Sequence, residues 1–174
     1  MKTNLTKTQA KQCCGTNDLQ PALKGLFYEP SKKTLTATNG HLLISYEVLP
    51  SDDDQSGIIP PSVFKTKKSE SCQYETNGKV TRTNENSSVN FEFIDERFPD
   101  YESVIPEHPE NSHTFGIDLN ILKKLCDAVP QDENNKRAIE ITLNLDSNLA
   151  PIVFRSYKNE QVFSGLMMPM RLVD

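Results

Sequence analysis

Three side chains able to do acid–base chemistry stand near distinctive stretches of the sequence: His41, beside Asn39-Gly40, and Asp100 and Glu102. A lone histidine next to a tight turn is far more often structural than catalytic. No nucleophile elbow, phosphate-binding glycine loop or metal cluster accompanies it. The four cysteines, Cys13, Cys14, Cys72 and Cys126, form no C-x-x-C pair, and the three histidines are too scattered to complete a zinc site. The expectation is a protein that is not an enzyme and carries no metal or cofactor. The chemistry that remains is apolar binding. Residues 166–172, Leu-Met-Met-Pro-Met-Arg-Leu, are an apolar run close to the end of the chain, where sequences are usually polar. Pro169 cannot donate to a ladder, so a strand must leave its sheet there. Methionine adapts to varied partners, and the run reads as a strand that ends by placing Met168, Met170 and Leu172 around a groove. The plainer alternative is a terminal strand closing a core.

The elements that would position this tail can be read along the chain. At 174 residues and 36% hydrophobic, the chain has room for one large domain or one and a half small ones. A net charge of −5 argues against non-specific attraction to nucleic acid or an anionic membrane. No stretch has the length of a membrane span, no signal peptide is expected, and bare thiols suggest a reducing cytoplasm. Thr6 caps a short helix ending before Gly15, followed by strands over 22–29, 34–38 and 41–48, with Asn39-Gly40 as a tight turn. A second series follows: a strand at 57–60, a helix over 62–69 behind Pro61, and strands over 71–76, 79–84 and 88–94. A third has a strand at 114–117, a helix from 119 to 129 capped by Asp118, and strands over 138–144, 150–156 and 161–168. One strand–helix–three-strand repeat, used three times, gives an α+β fold with antiparallel sheets.

The three expected helices carry Lys7 and Lys11; Lys65, Lys67 and Lys68; and Lys123 and Lys124, while acids collect in loops such as 52–54. Lysines on equivalent helices could present one basic face to a phosphate backbone. The alternative is an ordinary solvated surface. Without arginine or aromatic residues among them, base readout and stacking are not expected.

Three motifs in order then carry a resemblance. Thr36-Ala37-Thr38-Asn39-Gly40-His41-Leu42-Leu43 resembles the T-D-G-H-R-L turn of the bacterial DNA polymerase III beta subunit, the sliding clamp. Arg97-Phe98-Pro99-Asp100-Tyr101 through Val104-Ile105-Pro106 is similar to the family's R-F-P-D-Y-x-x-V-[LI]-P segment. Met168-Pro169-Met170-Arg171-Leu172 is identical to its M-P-M-R-L ending. The resemblance implies the DNA-clamp architecture with three repeats where the family has six. Residues 1–106 resemble the complete middle domain, and residues 107–174 a partial last domain bearing the tail. It implies a non-enzymatic processivity factor that tethers a polymerase or clamp-loader-type protein through a Q-L-x-L-F-like peptide. The family's peptide pocket maps onto Leu23, Thr38, Gly40, His41, Leu42, Leu43, Pro99, Val104, Leu166, Met168, Pro169, Met170, Arg171 and Leu172. Leu42 replaces the family's usual arginine. DNA would meet Lys7, Lys11, Lys65, Lys67, Lys68, Lys123 and Lys124 through its backbone, without sequence preference. An odd number of repeats leaves a half-domain, so a homo-oligomer is expected. The competing expectation is a ring-less peptide-binding module that recruits, or competes for, clamp-binding proteins.

Overall fold

The computed structural model describes residues 1–106, 114–130, 138–147, 149–156 and 163–170. The chain divides into two compact lobes, Met1–Ile105 and Pro106–Asp174.

The first lobe holds two repeats. Helix α1 (Lys7–Cys13) starts at a full capping box: the Thr6 side chain accepts from the Gln9 N–H, and the Gln9 side chain accepts from the Thr6 N–H. Strands β1 (Leu26–Glu29), β2 (Thr34–Thr38) and β3 (Leu43–Glu47) follow, then β4 (Gly57–Ile59), β5 (Gln73–Asn77), β6 (Lys79–Thr83) and β7 (Ser88–Phe91). All pairings are antiparallel, in a four-stranded sheet ordered β3-β2-β1-β4 and a three-stranded sheet β5-β6-β7. The main core spans both repeats, from Leu5 and Ala10 through Leu26 and Leu35 to Val63, Phe64 and Tyr74, and a smaller cluster joins Ile58, Phe98 and Tyr101. The second lobe holds α2 (Leu119–Ala128), capped by the Asp118 carboxylate, and a sheet of β8 (Ile139–Thr142), β9 (Ile152–Ser156) and β10 (Ser164–Met167), ordered β10-β9-β8. Its core is Ile152, Phe154 and Met167, with Leu122 and Leu125 of α2 laid against it.

Four expectations need correction. The helix over 62–69 does not form: a 3₁₀ turn at Pro61–Val63 gives way to extended backbone at Phe64, and Lys65 bridges to Thr6. Burial explains this, because Val63, Phe64 and Lys65 are consecutive and all buried, which a helix with one apolar face cannot arrange. The strand expected from residue 22 starts at Leu26, since Pro21 opens a 3₁₀ turn that runs to Lys24. The strand expected from His41 starts at Leu43, because Asn39 builds a wider turn. The strand at 114–117 is reduced to the bridge between Gly116 and Met170.

No helix of the described residues is long and apolar enough to cross a membrane. The four cysteines form no disulfide. Burial, reinforced by neighbouring Cys13, pushes the Cys14 thiol up to about 12, so Cys14 should resist alkylation in the native protein at neutral pH and react on unfolding. A mass-spectrometric alkylation time course checks this, with rapid native labelling as the contrary result.

Candidate peptide-binding surfaces

In the first lobe, the expected site residues hang on two supports. The first is the β2–β3 turn. Asn39 Oδ1 accepts from the His41 and Leu42 N–H groups, both at 2.9 Å, and Gly40 N–H donates to Thr38 Oγ1 at 3.1 Å. Gly40 sits at φ +87°, a conformation that side-chain-bearing residues rarely take. The turn thereby holds Leu42 out in solvent, 44% exposed, while Leu43 turns in against Phe98 and Tyr101. His41 and Leu23 line one recess of about 400 Å³ together with Gly15, Asn17, Gln20 and Asn39.

The second support is the segment around Phe98. Its ring stacks on Phe27 at 5.2 Å and meets the edge of Tyr101 at 6.1 Å. The Tyr101 hydroxyl donates to Glu29 at 3.1 Å. Lys32 pairs with Glu29 at 3.0 Å and with Glu102, and lies 5.9 Å over the Tyr101 ring. These two carboxylates hold the Lys32 ammonium above its ordinary range, the hydrogen bond to Glu102 contributing most. The segment leaves Pro99 exposed, and Val104, in a 3₁₀ turn at Glu102–Val104, 69% exposed.

In the second lobe, Leu166 on β10 is 67% exposed. Met168 and Met170 are exposed on either side of the half-buried Pro169, which lines a small cleft with Phe115, Leu143 and Ile152. The Met170 N–H donates to Gly116 O at 2.9 Å, which fixes the direction in which the tail leaves the sheet. Arg171 and Leu172 lie outside the described residues. Each lobe thus offers exposed apolar side chains from a braced backbone, able to bury leucine or phenylalanine of a short peptide. Each such residue, fully buried, contributes about 1.5–3 kcal/mol.

The lysine set does not hold together. Lys7 and Lys11 lie on α1, and Lys123 and Lys124 on α2, but Lys65, Lys67 and Lys68 are on no helix. Lys65 is buried, and its Nζ donates to Asn4 Oδ1, Lys68 O and Glu70 O at 3.2–3.5 Å. It braces the loop after Phe64 rather than facing a ligand. Lys123 pairs with Asp127 at 3.0 Å. Lys67, Lys68 and Lys124 are exposed. A recess of about 980 Å³ in the first lobe is lined by Lys65 and Lys68 of the expected set and is of mixed charge, with Lys2, Glu47 and Glu70 also in its wall. No group of three or more histidine, cysteine or acidic side chains that could hold a metal occurs among the described residues.

Sequence reasoning read Asn39-Gly40 as a turn but missed the bonds Asn39 makes, and missed Phe98 and Tyr101 as residues that position the site. The signals were there: asparagine before glycine accepts from the backbone two residues on, and aromatic residues between prolines serve as anchors.

The architecture is that of the bacterial DNA sliding clamp, and the chain has that fold in shortened form. It superimposes on the C. crescentus beta sliding clamp with a TM-score of 0.70 at 18% identity, covering 95% of this chain and 47% of that one. For the Pseudomonas aeruginosa DNA polymerase sliding clamp the TM-score is 0.66 at 17% identity, covering 95% and 50%. For the Helicobacter pylori beta clamp bound to a DNA ligase peptide it is 0.61 at 17% identity, covering 93% and 46%. The chain therefore spans about half the length of the clamps it matches. No protein-family model matches the sequence, and no curated protein matches it.

Proposed function

We propose that this protein is a clamp-type tethering factor of the cytoplasm, which binds Q-L-x-L-F-type segments of a polymerase or other replication protein and holds them at DNA. The observation that carries the reading is the set of exposed apolar side chains, Leu42 and Val104 in one lobe and Leu166, Met168 and Met170 in the other, on a clamp fold and within the stretches whose sequence resembles clamp motifs. One clamp of this fold, from H. pylori, was solved with a DNA ligase peptide bound. Tethering acts through effective concentration: a held polymerase rebinds its primer end without diffusing away. A fluorescent Q-L-x-L-F-type peptide should bind with micromolar affinity, roughly −8 kcal/mol. Met168→Ala combined with Met170→Ala should weaken binding at least tenfold. Equal binding by the double variant removes the tail from the site.

The burial of Lys65 and the pairing of Lys123 favour a second reading, in which the chain binds the same peptides without contacting DNA. Replacing Lys67, Lys68 and Lys124 by alanine separates the two. Under the tethering reading, polymerase stimulation falls and its dependence on salt weakens. Unchanged stimulation supports the module without DNA contact.

A further inference from the structure

The three repeats begin and end alike. In each, the leading segment bridges to the end of the repeat's own third strand: Lys2 with Leu49, Ile58 with Ile94, and Gly116 with Met170. In each, the residue four positions before that end lies in a register row crossing the sheet: Phe27–Thr36–Ser45, Glu75–Thr81–Asn90 and Thr142–Val153–Leu166. These rows are therefore equivalent. One residue back along the first strand, Ile141 is the counterpart of Leu26 and Tyr74. One residue forward, Leu143 is the counterpart of Tyr28 and Thr76. The four residues of the first lobe are 0–1% exposed, whereas Ile141 is 54% and Leu143 41% exposed.

The first lobe shows what covers them. Its two repeats exchange leading segments. Strand β4 of the second repeat pairs with β1 of the first, Ile59 opposite Leu26. The Met1 amine donates to Tyr74 O at 2.7 Å, and the Tyr74 N–H donates to Met1 O at 3.3 Å, so the start of the first repeat lies along β5. Among its described residues, the second lobe has one repeat and shows no such exchange. Among the described residues β8 pairs with β9 alone, leaving its outer edge open. Helix α2 lays Leu122 and Leu125 on the core half-buried and buries no side chain fully, where α1 fully buries Ala10 and Cys13.

We propose that a second copy of this chain completes the second lobe. The two lobes pair about a two-fold axis, the 115–117 segment of each lying along β8 of the other and covering Ile141 and Leu143. A second copy fits because one surface carries both halves of the exchange, a free leading segment and an open first strand. Such a surface is complementary to itself, and a two-fold contact between self-complementary surfaces closes at two copies. The first lobe has made its exchange internally and adds no further contact of this kind. Ile141, at 54% exposed, with Leu143 and Leu145 along the same edge, supplies the apolar centre that an interface of about 800 Å² per partner requires.

Sedimentation velocity of the whole chain, from low to high micromolar concentration, should show a dimer. Ile141→Asp with Leu143→Asp should weaken the dimer at least tenfold while circular dichroism stays unchanged. A second measurement stands if that variant fails to fold. A chain carrying Ile117→Cys is mixed with a differently tagged chain carrying Ile141→Cys and oxidised mildly. A covalent heterodimer should form beyond the level given by the parent chains, because Ile117 and Ile141 are the counterparts of the paired Ile59 and Leu26. A monomer at every concentration overturns the proposal. So does a dimer indifferent to the aspartates that gives no heterodimer. A chain that is monomeric alone yet binds an intact bacterial sliding clamp also overturns it, and gives the face to another partner.

Discussion

Asp54→Asn should cost the first lobe about 3–5 kcal/mol of unfolding free energy, the loss typical when one partner of a buried ion pair is removed. Asp54 is the buried junction of that lobe, its side chain 2% exposed. Its carboxylate lies 2.8 Å from the Met1 ammonium. It accepts from the Tyr28 hydroxyl at 2.7 Å, the Ser51 N–H at 2.7 Å, and the Thr76 hydroxyl and N–H at 2.9 and 3.3 Å. Burial alone would raise its pKa. The Met1 ammonium and the Ser51, Tyr28 and Thr76 donors outweigh burial and hold the carboxyl at about 2. Burial and the same carboxylate push the Tyr28 hydroxyl well above its ordinary range, so it stays a donor. The sign of the pH dependence follows. A depressed carboxyl contributes fully above its unfolded value of 3.8 and loses its contribution as pH falls from there through about 2. Urea titrations should show wild-type stability falling across that acid window, and the asparagine variant weaker at neutral pH with a flatter acid limb. Coincident curves for the two proteins at pH 7 would sink the assignment. Tyr28→Phe, which removes one donor to a charge, should cost less, about 1.5–3 kcal/mol.

The second large effect is expected at Phe98→Ala, about 3–5 kcal/mol with an added loss of peptide binding. Truncating a buried phenylalanine removes transfer energy and leaves a cavity. Here the ring is 8% exposed, stacked on Phe27, crossed by Tyr101 and packed in one cluster with Ile58, Leu43 and Ile94. Because the same ring pins the segment bearing Pro99 and Val104, peptide affinity should fall several-fold in variant protein that is still folded at low temperature. Phe98→Leu keeps most of the volume and should recover much of both. Tyr101→Phe separates anchoring from packing: it loses only the bond to Glu29 and should cost about 1 kcal/mol. Denaturation and peptide titration on the three variants check the order. Full affinity in a folded Phe98→Ala protein removes that segment from the binding surface.

Much of this fold was legible in the chain because its signals are local. Thr6 before a run of helix formers ending at Gly15, and Asp118 before an amphipathic stretch, placed both α-helices, since caps and periodicity act within one or two turns. The strands expected over 71–76 and 79–84 form as the antiparallel pair β5 and β6. The expected helix over 62–69 failed because its fate is settled by distant residues. Lys65 reads as a helix former in an open sequence, but Thr6, Asn4 and Tyr74 supply it with partners in an extended conformation. A lysine buried on neutral oxygens has no sequence signature, so the basic face expected from helix positions lost its central member. The motif residues were found because they resemble a family, whereas their supports are long-range contacts such as Phe27 with Phe98 and Lys32 with Glu102.

The bridges from Lys2 to Leu49, Ile58 to Ile94 and Gly116 to Met170 bring the start and finish of every repeat side by side. A segment whose ends adjoin can be copied or excised in frame without stretching the chain that remains. Gene rearrangement then acts on whole repeats, and an odd number of them is as accessible as an even one. What decides between the two is whether the exposed half finds a mate, not whether the polypeptide can be threaded. Each such step of one repeat leaves behind a surface ready for a new association.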